Sequence, residues 1–115
     1  MIAGVLSACA MDVRATRLVL RTETGSRGGA CDSATLVPVR IAHDGDAMIF
    51  VDGTGAHLSV IWPFGFAAWL EYGRAVLYAR DGSVVGREGG VLDTIGGSPG
   101  ADGFHVCQVG VRTYT

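Results

Sequence analysis

The residue types best suited to chemistry gather late in the chain. Ser98 sits in Gly96-Gly97-Ser98-Pro99-Gly100, a G-x-S-x-G spacing, with His105 and Cys107 shortly after it. In a nucleophile elbow that spacing exposes a serine at a strand-to-helix turn. Here Pro99 follows the serine, glycines surround it, and 115 residues are too few for the parallel sheet that the motif requires. Ser98 is therefore expected in a surface loop. The same glycines lack the Gly-Lys-Ser/Thr ending and following helix of a phosphate cradle. His105 and Cys107 are two apart and would share one side of a strand. His43, Asp44 and Asp46 would then have to complete a metal set. No C-x-x-C or H-x-x-x-H spacing is present, and His43-Asp44-Gly45-Asp46 lacks the further oxygen ligands of a calcium loop. A solvated turn and a partly buried structural His105 are expected instead. No nucleophile, base and orienting group come together, so no catalytic residue, metal or cofactor is expected and the chain reads as a non-enzyme.

The three cysteines divide more informatively. Leu6-Ser7-Ala8-Cys9 resembles the lipobox of bacterial lipoproteins: an aliphatic residue, two small residues, then cysteine. Small side chains let a signal peptidase thread the backbone. The resemblance implies that the Cys9 thiol carries a diacylglyceryl group and becomes the new N-terminus. Met1–Leu6 offers about five apolar residues and no arginine, short of the roughly 7–15 apolar residues of an export signal. Either the true start lies upstream or Cys9 is coincidental. On the first reading residues 1–8 are a partial signal peptide, 9–15 a lipidated tether, and 16–115 a single domain. Cys31 and Cys107 remain. In an exported chain they are expected to pair; in a cytosolic one they would be two buried thiols.

Composition narrows the classes further. Hydrophobic residues make up 49% and charged residues 17%, which excludes a disordered chain. A formal net charge of -2 excludes a nucleic-acid footprint, which needs clustered basic charge. All nine basic residues are arginine, and lysine and asparagine are absent, a pattern of codon bias from GC-rich DNA. No run of some 20 apolar residues exists to span a membrane as a helix. The 18 glycines are scattered, which favours short strands joined by tight turns.

The elements follow from alternation and turn chemistry. Residues 16–21 alternate, with Leu18 and Leu20 inward and Arg17, Val19 and Arg21 outward. Residues 35–41 place Val37, Val39 and Ile41 on one face, while Pro38 argues for an edge or a bulge. Strand 47–51, the loop Asp52-Gly53-Thr54-Gly55 and return strand 56–62 form a hairpin. Asp81-Gly82 joins strand 74–80 to 83–87 in another. Strand 91–95, a flexible loop over 96–103 and a last strand over 104–112 complete the chain. Residues 66–71 stay open between one turn of helix and a bent strand. The fold class is all-β: a small antiparallel barrel or sandwich of short strands.

The block Val60–Gly97 includes Trp62-Pro63, Gly65, Asp81-Gly82, Arg87-Glu88-Gly89 and Gly96-Gly97. It resembles a segment of small secreted lipoproteins of high-GC bacteria, a family that brings no activity and no catalytic residue with it. The resemblance implies export and a small β-fold. Within the block, Trp62, Phe64, Phe66 and Trp69 crowd into eight residues. As core, Trp62 and Trp69 would fill a barrel or cap one end of it; as function, the aromatics would line a ligand mouth or a partner patch. The expected function is a membrane-anchored, extracytoplasmic lipoprotein domain whose partner is membrane lipid, reached through Cys9. The alternative is a soluble module that binds a small molecule or peptide with the Trp62–Trp69 segment.

Overall fold

Short apolar alternations broken by glycine leave the backbone little choice but strands closed by tight turns. A computed structural model shows this arrangement and describes residues 16–25, 31, 35–90 and 92–114. Among the described residues eleven strands run in chain order: β1 (Thr16–Leu18), β2 (Thr35–Val37), β3 (Arg40–Asp44), β4 (Ala47–Val51), β5 (Val60–Ile61), β6 (Ala67–Glu71), β7 (Arg74–Tyr78), β8 (Val84–Arg87), β9 (Ile95–Gly100), β10 (Gly103–Val109) and β11 (Arg112–Thr113). No helix occurs among the described residues. One sheet has the order β1-β6-β7-β8 and the other β11-β10-β9-β2, with β5 added parallel to β10; β3 and β4 form a ribbon. The sheets stay open, so the all-β fold is a sandwich and the barrel alternative is corrected.

The core lies where the inward faces meet. Leu18, Ala68, Ala75 and Leu77 of the first sheet share one cluster with Ile95, Phe104, Val106 and Val109 of the second. Ile41, Met48 and Phe50 of the ribbon join the same cluster. Trp62, with no exposed surface, stands at its centre, its ring 5.0 Å from Phe50 and 5.8 Å from Phe66. The Trp62 indole N–H has no hydrogen-bond partner among the described residues, a desolvation cost of roughly 1–3 kcal/mol.

Residues 66–71 settle as strand. Their alanines, leucine and glutamate suit a helix, but β6 is paired on both sides, by β1 and by β7, and tertiary pairing outweighs propensity. The turn beyond it uses Tyr72 and Gly73, both at positive φ (52° and 79°), the backbone of a two-residue hairpin. The loop expected over 96–103 is also mostly strand. β9 pairs with β10 along its length and with β2 through Gly97. Pro99 falls beyond the β2-paired stretch, where the missing N–H costs no ladder bond to that neighbour. Pro38 divides the expected 35–41 strand into β2 and β3. Only Ile95 of the expected 91–95 strand begins β9, and Gly110-Val111 splits the last strand into β10 and β11. The Asp81-Gly82 hairpin forms, with Gly82 at positive φ after Arg80 and Asp81. Asp81 accepts from the Ser83 hydroxyl, the Ser83 amide and Arg112, and these bonds hold its carboxyl down to about 2.

Candidate functional site

The residues after β1 continue as a strap across the molecule. Val19 bridges Ala47 and Thr22 bridges Trp62, both in parallel sense. Trp62 N–H donates to the Arg21 carbonyl and Glu23 N–H to the Trp62 carbonyl. Arg21 and Glu23, two apart, therefore lean the same way from the strap. On the other side of this seam β5 pairs with β10, setting Ile61 beside His105. Three consecutive backbone segments thus bring Glu23 and Arg21 to His105. The turn between β9 and β10 adds Asp102. Together they border a surface cleft of about 340 Å³ that Thr22, Thr24 and Ile61 also line.

His105 is bonded at both ring nitrogens. Nδ1 lies 2.7 Å from Glu23 Oε2 and Nε2 lies 2.7 Å from Asp102 Oδ1. Two carboxylate acceptors are both satisfied only if both nitrogens carry hydrogen, so this geometry selects the imidazolium. The bond to Glu23, then that to Asp102, holds the His105 pKa above its ordinary value against partial burial. The same bond from His105 draws the Asp102 carboxyl below the usual carboxylate range. Arg21 Nη1 donates to Ser59 Oγ at 2.7 Å, and Ser59 Oγ donates to the Asp102 carbonyl. Ser98 stands directly opposite His105 in the β9–β10 register. The doubly bonded imidazolium has no lone pair with which to take a proton from it. What the arrangement can do is clasp: it fastens the strap, β10 and the β9–β10 turn by charge.

The clasp is linked to pH with a defined sign. Because the folded His105 pKa is raised, its contribution is fully present below the unfolded value of about 6.5 and is lost as pH rises through the folded pKa. The Asp102 contribution runs the other way, present above its unfolded pKa and lost as pH falls through the depressed folded one. Stability is expected to hold on the acid side of neutrality and decline above it. Urea titrations across pH should show the alkaline decline in the native protein and a flat profile there in His105→Gln. An unchanged slope in the variant would assign the decline to other groups.

Cys31 and Cys107 form a disulfide with Cα atoms 5.5 Å apart, joining the segment before β2 to β10. Cys107 falls where the β9–β10 register shifts between Val106 and Gln108, so it does not repeat the direction of His105 as a regular strand would. His43 Nδ1 bonds Glu88 Oε1 at 2.7 Å, and that oxygen also accepts from the Ala75 amide at 2.9 Å. Asp44 and Asp46 stay exposed around the β3–β4 turn. No metal-holding group of His, Cys, Asp and Glu occurs among the described residues. The four aromatics do not make one surface. Trp62 and Phe66 are core, Phe64 lies beneath Arg80, and Trp69 lies beneath Arg17 on the outer face of β6. Trp62 and Phe66 are sealed by the sandwich, while Phe64 keeps exposed surface and Trp69 is half-buried. Cys9 and the tether fall outside the described residues. No protein-family model matches the chain, and neither does any curated protein or solved structure.

Sequence reasoning singled out His105 but not its partners. Asp102, three residues away, was within reach of local inspection. Glu23 is 82 residues distant, and only the pairing of the strap with Trp62, next to β5, brings it there.

Proposed function

We propose that this chain is an exported, lipid-anchored domain, held at the extracytoplasmic face of a bacterial membrane by Cys9, with a binding or structural role rather than a catalytic one. The observation that carries the reading is the Cys31–Cys107 disulfide. Such bonds persist in oxidising compartments. The pair accounts for two of the three cysteines in the sequence, and the third is the one in Leu6-Ser7-Ala8-Cys9. The double engagement of His105 leaves it no lone pair to act as a base at this cleft. Residues 10–15 between Cys9 and β1 reach at most about 20–25 Å when extended, which would keep the sandwich close to the lipid.

The test is metabolic labelling with a fatty-acid analogue in cells expressing the gene from its own locus. Label should enter the wild-type protein and be absent from Cys9→Ala. Equal labelling of the two, or none in either, would remove the anchor.

A further inference from the structure

One end of the four-stranded sheet gathers an exposed tyrosine and arginines. In register, Thr16 lies beside Leu70, and Leu70 is followed by Glu71 and the Tyr72-Gly73 turn. The chain from Cys9 therefore enters the domain at the hairpin end of β6 and β7. At that turn Tyr72 is 86% exposed and has φ +52°. A bulky aromatic is unfavourable in that conformation, where glycine, asparagine or aspartate is preferred. Neither packing nor turn chemistry asks for tyrosine there.

Arginines lie along the sheet behind it. Arg74 follows the turn directly. Two residues further in, about 7 Å, the same face of the sheet carries the cross-strand row Arg17, Trp69, Val76 and Arg87, in which Val76 is itself buried and the two arginines are exposed. That row spans three strand spacings, about 14 Å. Alternation puts Arg74 on this same face, and Arg17 lies over the Trp69 ring, 5.5 Å from its centre. Two carboxylates are near: Glu71 accepts from the Tyr78 hydroxyl and Glu88 from His43 and the Ala75 amide. Three exposed arginines, an exposed tyrosine and a half-buried tryptophan thus face outward where the tether arrives. Aromatic rings suit the headgroup layer, and arginines suit anionic headgroups.

We infer that this end of the β1-β6-β7-β8 sheet is a lipid-facing surface that seats the domain on anionic headgroups, with Tyr72 at the headgroup layer and Arg17, Arg74 and Arg87 against phosphates. The inference rests on the anchored reading for its orientation, but its chemistry is independent of the acyl chain. The anchor limits the distance to the bilayer, and this surface sets which side of the sandwich meets it.

The test uses the full chain carrying Cys9→Ala, so that no acyl group contributes. Vesicles of phosphatidylcholine with phosphatidylglycerol should sediment the protein, and vesicles of phosphatidylcholine alone should not. Salt should release it. Arg17→Gln, Arg74→Gln and Arg87→Gln together should weaken partitioning by roughly 100-fold, about fivefold for each arginine. Arg40→Gln, Arg80→Gln and Arg112→Gln remove equal charge elsewhere and should leave most of the binding. Tyr72→Asn should raise the melting temperature, by relieving the turn, while lowering partitioning, a pairing that a purely structural tyrosine would not produce. Equal loss in the two triple variants, or no preference for phosphatidylglycerol, would overturn the surface. The two proposals separate cleanly. Label at Cys9 without arginine-dependent vesicle binding keeps the anchor and removes the surface; arginine-dependent binding without label does the reverse.

Discussion

Gly97→Ala is expected to destabilise the domain by more than about 4 kcal/mol, the range reached only by severe steric or packing faults. A Cβ at Gly97 would lie 1.9 Å from the His105 carbonyl oxygen and 2.9 Å from its carbonyl carbon. Both are backbone atoms of β10, so no rotamer change relieves the overlap. Residue 97 also pairs with Thr35 of β2, which blocks retreat to the other side. The alternative is to move β10 away from β9, and that disturbs the core residues Phe104 and Val106 and the His105 clasp together. Chemical denaturation followed by tryptophan fluorescence should show loss of the cooperative transition, or a midpoint shifted far below that of the native chain. A change under 1 kcal/mol would mean that β9 and β10 are not held this close.

Loss of the disulfide is the second large effect. The bond closes a loop of 76 residues. Chain-entropy reasoning gives about 4.5 kcal/mol for a loop of that size, with strain and residual unfolded-state structure shifting the measured value. Small domains have roughly 5–15 kcal/mol of stability in all, so most of a modest reserve depends on one bond. Cys31→Ala with Cys107→Ala, and the native protein under reductant, should both unfold at much lower urea than the oxidised protein. The two should agree within the small cost of losing a buried thiol at Cys107, which is almost wholly enclosed. If the reduced protein matches the oxidised one, the loop entropy is not being felt and the argument for an oxidising compartment loses its physical basis.

These effects fall at points of unequal legibility. Alternating apolar residues and glycine turns announced an all-β chain, because a period of two and a tight turn are local properties. The strands around Leu18, Met48, Phe50, Leu77 and Val106 followed from that pattern, and their inward side chains are core. Counting left Cys31 and Cys107 over, open between a disulfide and two buried thiols, and the structure joins them. Three readings needed neighbours. Gly96–Gly100 reads as a flexible loop until β2 and β10 flank it. Residues 66–71 have the composition of a short helix until β1 and β7 pair with them. Trp62, Phe64, Phe66 and Trp69 crowd together in sequence, yet a turn and a strand's alternation send them to different places.

The sequence by itself determined the secondary-structure class and the turns that carry glycine, since each rests on interactions within a few residues; whether Cys31 and Cys107 pair was settled by the structure. The tertiary structure alone decided that the sheets form an open sandwich, that Glu23 meets His105, and that arginines from β1, β7 and β8 share one face with Trp69. Those outcomes depend on strand order and register. Register is set by which faces can bury one another, and that is a property of the whole packed chain rather than of any segment.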